Sequence, residues 1–460
     1  MTIDARPAHG KTLMVAVSMA LFCVQIDYFA MNLALPRMAS DFDSTATDLQ
    51  WIISIYMVTL GALMVPAGRL ADIFGRKRVL LIGITLFGLA SLLCAIAASV
   101  ATLVAFRALQ GVGAALIFPA SVSVITNAFP PAQSGRMIGL AYGIAGLGNA
   151  AGPLIGGLLT QTVGWRWIFA LNIPLAAACV LIGAFAISES RDTEAPRRID
   201  VAGLALLTAG IGVFTLTFDR ASVWGWWSLA TAGALTGAIA LLALFVVVER
   251  RVRWPLVDLS LARNMRFTVL VAAGSIANVA YGVTIFLSTV YLQDARGLDP
   301  LAAGLVFLGP SAGAAAGGVL SGRLAAGHPV RVMGVATILA AASLGLLAAA
   351  RDWALYVPTL TACGFTLGLV YAFTTVATQA VVSPQRAGEA AGIALTVMIA
   401  MGGVGVAVAS TMLERLRSTG MSTAGGIDVI FAILAAALLP AGLLVVAVAS
   451  RTADPASERC

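Results

Sequence analysis

Charge is what this sequence has least of. Only 11% of its 460 residues are charged, compared with about 25% in an ordinary soluble protein. Hydrophobic residues make up 60%, and the mean hydropathy is +0.96. Because a helix that crosses a bilayer needs about 20 mostly apolar residues, this composition excludes an ordinary soluble protein. It predicts an all-α polytopic membrane protein.

Residues that bind metals or form disulfides are also scarce. The sequence has two histidines, His9 and His328, and five cysteines, and neither a metal-ligand spacing nor a disulfide framework is present. No phosphate-binding GxxxxGK[ST] motif occurs, which argues against transport driven by ATP. The spans contain no catalytic cluster. We therefore expect no enzyme activity, no metal and no cofactor, so any transport would draw on the proton motive force.

The net charge of +7 could suggest a nucleic-acid partner. A nucleic-acid binder clusters its basic residues on one face, whereas here they are scattered among short loops between apolar runs. We expect no nucleic-acid partner.

Fourteen apolar runs are long enough to span a membrane. They lie near residues 12–35, 49–68, 79–98, 100–126, 137–160, 167–188, 201–218, 228–248, 267–292, 300–322, 332–350, 353–380, 390–413 and 428–450. The first run is too long for the core of a cleavable signal peptide, so it is expected to remain as the first span.

The loops on one side of these spans contain most of the 28 basic residues. That side includes Arg76, Lys77, Arg78, Arg197, Arg198, Arg250, Arg251, Arg253, Arg263 and Arg266, and the opposite side has Arg37, Arg166, Arg220, Arg296, Arg351, Arg415 and Arg417. Because positive charge marks the cytoplasmic side, we expect a multi-pass protein of the cell inner or plasma membrane with both termini cytoplasmic. Two charged residues, Asp27 and Arg107, fall inside spans.

The sequence also contains an internal repeat. Gly68 to Ala71 recurs as Gly322 to Ala325, and Pro131, Gly135 and Gly139 recur as Pro384, Gly388 and Gly392 at nearly the same offset. Repeated halves are common in transporters. The repeat predicts an N-terminal six-helix bundle over residues 1–190, two linker transmembrane helices over 191–260, and a C-terminal six-helix bundle over 261–460.

Five motifs occur in order along nearly the whole chain. They are IDYFAMNLALP (Ile26 to Pro36), GRLADIFGRKRVL (Gly68 to Leu80), LVAFRALQG (Leu103 to Gly111), the set Gly139, Gly148, Gly152, Pro153, Gly156 and Gly157, and GWRWIFALNIP (Gly164 to Pro174). Together with the span count, they resemble the major facilitator superfamily and its fourteen-span drug:proton antiporter branch.

The resemblance implies a major facilitator fold of two six-helix bundles plus two inserted helices. It also implies multidrug efflux, in which a monomer exchanges lipophilic small molecules for protons by alternating access and confers antibiotic resistance. The interiors of spans 9, 10 and 13 contain no acidic residue, which favours neutral or singly charged substrates. Two alternatives stay open: a dedicated exporter of one endogenous lipid, metabolite or self-made antibiotic, and a non-transporting membrane scaffold.

Asp27 and Arg107 are the predicted proton-coupling residues. A charge in mid-span costs at least about 2.5 kcal/mol and usually marks an ion or substrate pathway. A nearby arginine favours the ionised carboxylate, and desolvation favours the protonated one, so small rearrangements could load or release a proton. The alternatives are a structurally bonded, protonated Asp27 and a fixed ion pair between spans 1 and 4.

The resemblance also implies a conformational latch. The latch residues are Gly68, Asp72, Gly75, Arg76 and Arg78, although this cluster could serve only to set the topology. The residues expected to line an apolar substrate cavity, most of them aromatic, are Tyr28, Asn32, Tyr56, Gln110, Tyr142, Tyr281, Phe286, Tyr371 and Phe373. The alternative for each aromatic residue is that it only packs inside the protein or faces lipid. Glycines at every fourth position from Gly148 to Gly156 predict close helix packing, which we expect to limit leakage between the two halves.

Overall fold

A computed structural model of the chain describes residues 7–31, 34–44, 46–192, 200–252, 255, 260–298, 300–324 and 328–450. Its helices are α1 (Pro7–Met31), α2 (Leu35–Asp41), α3 (Ala46–Phe74), α4 (Arg76–Ala95), α5 (Val100–Ala128), α6 (Pro131–Thr162), α7 (Arg166–Ala186), α8 (Val201–Trp224), α9 (Leu229–Glu249), α10 (Ser260–Arg263), α11 (Met265–Val290), α12 (Pro300–Leu324), α13 (Pro329–Ala349), α14 (Trp353–Ala380), α15 (Ala387–Ser418) and α16 (Thr423–Ser450). A π-helical turn over Tyr291–Ala295 extends α11, and a 3₁₀ turn over Pro384–Arg386 precedes α15.

Fourteen helices in the described part of the chain are long and apolar enough to cross a membrane. The predicted number of spans is therefore confirmed, and α2 and α10 are the two short helices. The protein is an all-α, multi-pass membrane protein.

Local sequence signals determine where several of these helices begin. Ser99 and Thr102 form a reciprocal capping box at the start of α5, and the Asn264 side chain accepts hydrogen bonds from the first amides of α11. Such caps satisfy amides that have no partner inside the helix. Gly75 separates α3 from α4 with φ of +118°, a conformation that residues with a Cβ rarely adopt.

The membrane helices form two groups, and most of the packing is within a group. In the first group, α1 packs against α6 and α7, while α5 packs against α3 and α4. In the second group, α14 packs against α12 and α13, α11 packs against α15, and α16 packs against α13. The two groups meet mainly along two helix pairs, α3 with α15 and α6 with α12, and also where α5 contacts α15 and α6 contacts α14.

Glycines from the internal repeat form both of these contacts. A Cβ added at Gly68 of α3 would overlap the backbone carbonyl of Gly388 on α15, and one added at Gly139 of α6 would lie 2.5 Å from the amide nitrogen of Gly322 on α12. Each copy of the repeat therefore meets the other copy across the molecule. The approach of backbone to backbone explains why glycine occupies these positions.

The glycines of α6 lie on two different faces. Gly139, Gly143 and Gly146 face α12 in the second group. The four-residue repeat instead faces α1: a Cβ at Gly148 would contact Phe22 and Gln25, and one at Gly156 would overlap Ala30. The expectation that Gly148, Gly152 and Gly156 seal the contact between the halves is therefore wrong. These three residues pack α6 against the helix that carries Asp27.

Helix α8 bridges the two groups by packing against both α3 and α15. The Arg220 guanidinium of α8 lies 3.7 Å from the centre of the Trp51 ring on α3. The indole of Trp226, just beyond α8, donates a 2.7 Å hydrogen bond to Thr411 on α15. The predicted domain boundaries near residues 190 and 260 stay a prediction, because residues 193–199 and 256–259 lie outside the described parts.

Candidate functional site

A buried polar cluster of the first group lies between the last turns of α1 and the first halves of α5 and α7. Asp27 comes from α1, Arg107 and Gln110 from α5, and Asn172 from α7. All four side chains are buried, and Asp27 is only 1% exposed. Glycines 148, 152 and 156 allow α6 to lie directly against the Asp27 segment of α1, which helps to exclude lipid from this cluster.

Arg107 and Asp27 form a direct ion pair. The Arg107 Nη1 donates a 2.6 Å hydrogen bond to Asp27 Oδ2, and its Nε donates to the backbone carbonyl of Ile52 at 3.1 Å. Removing either residue would leave the other as an uncompensated buried charge, which is strongly destabilising. The carbonyl of Ile52 also fixes the guanidinium to α3.

Two amide side chains complete the environment of the carboxylate. Asn172 Nδ2 donates to Asp27 Oδ1 at 2.7 Å, and Gln110 Nε2 donates to the same oxygen at 3.0 Å. Gln110 also accepts a 2.6 Å hydrogen bond from Arg107 and donates to Ser91 at 2.8 Å. The Asp27 carboxylate on α1 thus accepts hydrogen bonds from α5 and α7. These hydrogen bonds therefore depend on the relative positions of the three helices.

Aromatic rings enclose the guanidinium. The Arg107 Cζ lies 4.1 Å from the centre of the Tyr56 ring and 5.8 Å from that of Phe169. Cation–π contacts of this kind are strongest where water is excluded. Three buried polar atoms beside the pair, Arg107 Nη2, the Tyr56 hydroxyl and Asn172 Oδ1, have no hydrogen-bond partner among the described residues. The cluster therefore has spare hydrogen-bonding capacity next to its charges.

A second buried ion pair lies where α3 meets α15. Arg76 binds Asp72 Oδ1 through Nε and Nη2, both at 3.0 Å. Asp72 also accepts a 3.1 Å hydrogen bond from the amide of Glu389, while Arg76 donates to the carbonyl of Gln385 at 3.0 Å. This pair from the first group therefore binds the backbone at the start of α15 in the second group.

The remaining predicted latch residues surround this pair. Gly75 has its Cα close to the Glu189 carboxylate, where a Cβ would lie 2.6 Å from Glu189 Cδ. Glu189 accepts hydrogen bonds from the amides of Lys77 and Arg78 at 3.1 and 3.2 Å. These are the first amides of α4, where negative charge is favourable. Arg78 contributes its backbone here, and its side chain is exposed.

The structure places the predicted cavity residues in several parts of the two helix groups. Tyr28 stacks on Tyr56 at 6.3 Å between ring centres, and Tyr142 meets Tyr371 edge to face at 5.6 Å across the two groups of helices. Tyr281 is half-buried on α11. Phe373 is fully buried, Phe286 is half-buried on α11, and Gln110 belongs to the Asp27 cluster. Their role in binding a substrate stays a prediction.

Some functional residues lie outside these predictions or outside the described structure. Asn172 and Ser91 were not predicted, although Asn172 lies inside the GWRWIFALNIP motif and is a polar side chain in a span, which is a usable signal. Asn32 lies outside the described residues, and the side chain of Pro153 does too. Across the described residues, no cluster of three or more His, Cys, Asp or Glu side chains could hold a metal ion.

Sequence comparisons with known proteins agree on one protein family. A sequence model described as the Major Facilitator Superfamily matches residues 17–406. The chain is 31% identical to the tetracenomycin C resistance and export protein of Streptomyces glaucescens, over 87% of this chain and 75% of that protein. It is 33% identical to the multidrug resistance protein Stp of Mycobacterium tuberculosis, over 88% and 76%.

Two further comparisons cover almost the whole chain. The methylenomycin A resistance protein of Bacillus subtilis is 30% identical over 99% of this chain and 98% of its own length. The crystal structure of the human organic anion transporter MFSD10 superposes with a TM-score of 0.70 and 14% identity, and the match covers 96% of this chain and 100% of that one. The structural match shows a shared fold.

Proposed function

The chain belongs to the Major Facilitator Superfamily, and from this premise we propose that it is a proton-coupled exporter of lipophilic small molecules. In this proposal the protein is an antiporter: it takes up a proton from outside and releases a substrate there. Asp27 carries the proton, and Arg107 adjusts how readily the carboxylate binds it. The energy comes from the proton motive force.

The observation that carries the proposal is the buried Asp27 cluster. A carboxylate buried within a membrane span has a high energetic cost unless it is paired or neutral, and here it accepts hydrogen bonds from residues of α5 and α7. Protonation of Asp27 removes the charge that holds Arg107, whereas loss of the proton restores the ion pair. The protonation state is thereby coupled to the packing of α1 against its neighbours.

The Asp72 and Arg76 pair provides the conformational half of the mechanism. It joins the first group of helices to the start of α15, on the side that the basic loops predict to be cytoplasmic. Bonds made in one state and broken in the other bias a two-state equilibrium. We assign this latch to the outward-open state, in which the cytoplasmic ends of the two halves are closed.

The names of the relatives support small-molecule substrates. Their names refer to tetracenomycin C, methylenomycin A and multidrug resistance, so the multidrug exporter is the first candidate. Several relatives are named for a single antibiotic, which supports a second candidate, a dedicated exporter of one compound. A deletion strain distinguishes the two, because a dedicated exporter protects against few unrelated compounds.

The proposal includes a location and an oligomeric state. Positive charge in the loops around Arg76 and Arg250 favours a plasma membrane orientation with both termini in the cytoplasm. We propose that the exporter works as a monomer, since one chain supplies both of the helix groups that alternating access requires.

The decisive experiment is proton-driven dye efflux from vesicles, comparing Asp27→Asn with the parent at equal expression. Asparagine keeps the size of the side chain but cannot exchange a proton, so coupled efflux is expected to be abolished. Asp428→Asn, a change of the same chemistry at a partly exposed position of α16, is the matched control. Undiminished efflux by Asp27→Asn rules out the proton carrier, and a parent that moves no substrate indicates a scaffold.

A further inference from the structure

A cavity lies between the first turn of α11 and the last turn of α14, on the side that the basic loops predict to be cytoplasmic. Its volume is about 520 Å³, and the residues that line it are Asn264, Met265, Arg266, Ala380, Val381 and Val382. Met265 begins a membrane-spanning helix and is 71% exposed. The cavity therefore lies at the level where the membrane meets the aqueous phase.

The charge around this cavity is positive. Arg266 lines it, and Arg263 is the last residue of α10, just before the cavity begins; both side chains are exposed. The Arg386 guanidinium lies 3.5 Å from the hydroxyl of Ser260, at the start of α10. The described lining residues include no acid, and Glu389, the nearest acid along the described chain, is only 2% exposed. The surroundings therefore favour an anionic ligand.

The capped amides of α11 are not the groups that bind this anion. Asn264 Oδ1 accepts hydrogen bonds from the amides of Arg266 and Phe267 at 3.1 and 3.3 Å. Its Nδ2 lies 3.4 Å from the carbonyl of Val381, to which it donates, so Asn264 joins the start of α11 to the end of α14. Recognition of an anion is left to the arginine side chains, whose planar guanidinium groups can donate two hydrogen bonds to one phosphate.

Apolar side chains form most of the cavity wall. Four of the six lining residues are apolar, namely Met265, Ala380, Val381 and Val382. A free phosphate gains nothing from such a wall. A phospholipid can place its glycerol and upper acyl chains there while its phosphate meets the arginines. The cytoplasmic leaflet contains anionic lipids, and basic pockets between membrane helices on that side bind their headgroups.

We infer that Arg263 and Arg266 bind the phosphate of an anionic phospholipid of the cytoplasmic leaflet, and that the apolar wall of the cavity holds the adjoining part of the lipid. The ligand is a structural lipid and not a transported substrate. The site therefore does not depend on the proposed export function.

The lipid site is also continuous in sequence with the latch. The two valines of the wall lead into the 3₁₀ turn over Pro384–Arg386, and the Gln385 carbonyl of that turn accepts the hydrogen bond from Arg76. A lipid that holds these valines against α11 therefore restrains the segment whose backbone binds the latch. The bound lipid favours the latched state.

The test measures, by fluorescence anisotropy, how tightly the purified full-length protein binds phosphatidylglycerol labelled on an acyl chain. Phosphatidylcholine with the same label is the zwitterionic comparison. We expect the parent to bind phosphatidylglycerol at least about fivefold more tightly than phosphatidylcholine, and Arg266→Gln and Arg263→Gln each to weaken phosphatidylglycerol binding about fivefold. Arg250→Gln is the matched control, because it removes the same charge from an exposed position beyond α9 that does not line the cavity. It should change binding less than about twofold.

A second arm separates a lipid site from a site for free phosphate. A large excess of inorganic phosphate should leave phosphatidylglycerol bound, and its displacement would overturn the lipid assignment. Equal binding of the two lipids, or equal weakening by Arg250→Gln and Arg266→Gln, would overturn the site itself.

Hydrogen exchange tests the connection to the latch. Phosphatidylglycerol should slow exchange of the amides of residues 385–389 about fivefold in the parent and less in Arg266→Gln. Unchanged exchange in the parent would overturn the effect on the latch. Lipid binding as expected in a protein without proton-driven efflux overturns the export proposal alone.

Discussion

Arg107 serves three partners with one planar group. Its guanidinium binds Asp27, Gln110 and the Ile52 carbonyl at once while lying on the Tyr56 ring. A lysine retains the charge but presents a single ammonium group without the planar fork. The geometry of this side chain, and not only its charge, therefore holds α1, α3 and α5 in register.

We expect Arg107→Lys to reduce proton-driven efflux at least about tenfold, although the substitution keeps the positive charge. A hydrogen bond to a charged group contributes about 1.5–3 kcal/mol, and about 1.4 kcal/mol corresponds to a factor of ten. Efflux rates in vesicles at equal expression measure the effect, with Arg415→Lys at an exposed position of α15 as the control. Equal rates for the two variants would show that charge alone suffices at position 107.

The two ends of the ion pair could be found from the sequence, and most of its surroundings could not. Asp27 and Arg107 stand out because charge is rare inside apolar spans. Asn172 and Ser91 are uncharged, and such residues also occur in spans for packing or local hydrogen bonds. Gln110 was predicted to line the cavity, yet it bonds both charges, since only the fold brings α1, α5 and α7 together.

At the scale of helices, the contact of α3 with α15 depends on backbone touching backbone. The carbonyl of Gly388 occupies the position of a Cβ on Gly68, and a Cβ on Gly388 would lie 2.6 Å from the Gly68 carbonyl. Backbone atoms cannot move aside as a flexible side chain can. A larger residue at either position must push the two halves apart at the latch.

We therefore expect Gly68→Val to lower efflux about tenfold without preventing membrane insertion, because overpacking typically costs 1–3 kcal/mol. Gly403→Val is the matched control, since a Cβ at Gly403 meets no atom within 4 Å. Cross-linking between cysteines placed at the ends of α3 and α15 reports whether the halves still approach. If Gly68→Val and Gly403→Val behave alike, the close contact has no role in transport.

The number of membrane helices is readable from the sequence because lipid requires long apolar runs. The partner of each helix is not, because a glycine stripe shows that something approaches closely without showing what. On α6 the two stripes face different helices, so Gly148 lies against α1 and Gly146 against α12. Helix packing at that level depends on the positions of all the neighbours.

At the scale of the whole molecule, the orientation in the membrane is a consequence of the basic loops. Gln133 and Thr162 are exposed residues at opposite ends of α6. The predicted topology places Gln133 in the cytoplasm and Thr162 outside. Cys23, Cys94, Cys179 and Cys363 are buried, so they should not react with an aqueous reagent.

We expect an impermeant maleimide to label Thr162→Cys in intact cells. Gln133→Cys should be labelled only after the membrane is permeabilised. Both variants are made with Cys460 replaced by serine, and the parent with that replacement alone is the unlabelled control. The reverse pattern would place both termini outside and assign the latch to the opposite state.

Coupling to one proton sets a thermodynamic limit on the proposed exporter. Moving one charge through 100 mV is worth about 2.3 kcal/mol, so a force of about 150 mV supplies about 3.5 kcal/mol. At about 1.4 kcal/mol per factor of ten, a neutral substrate can be concentrated about 300-fold. The proposal makes Asp27 the proton carrier, which corresponds to one proton per cycle.

We therefore expect the steady-state ratio of a neutral dye across vesicles to change about tenfold for each 60 mV of imposed force. The change should be the same whether the force is a membrane potential or an equivalent pH gradient, because exchange of one proton for a neutral molecule moves one charge. Vesicles containing Asp27→Asn provide the uncoupled baseline. A tenfold change per 30 mV would require a second proton-binding residue, and no response to potential would mean that the substrate leaves as a cation.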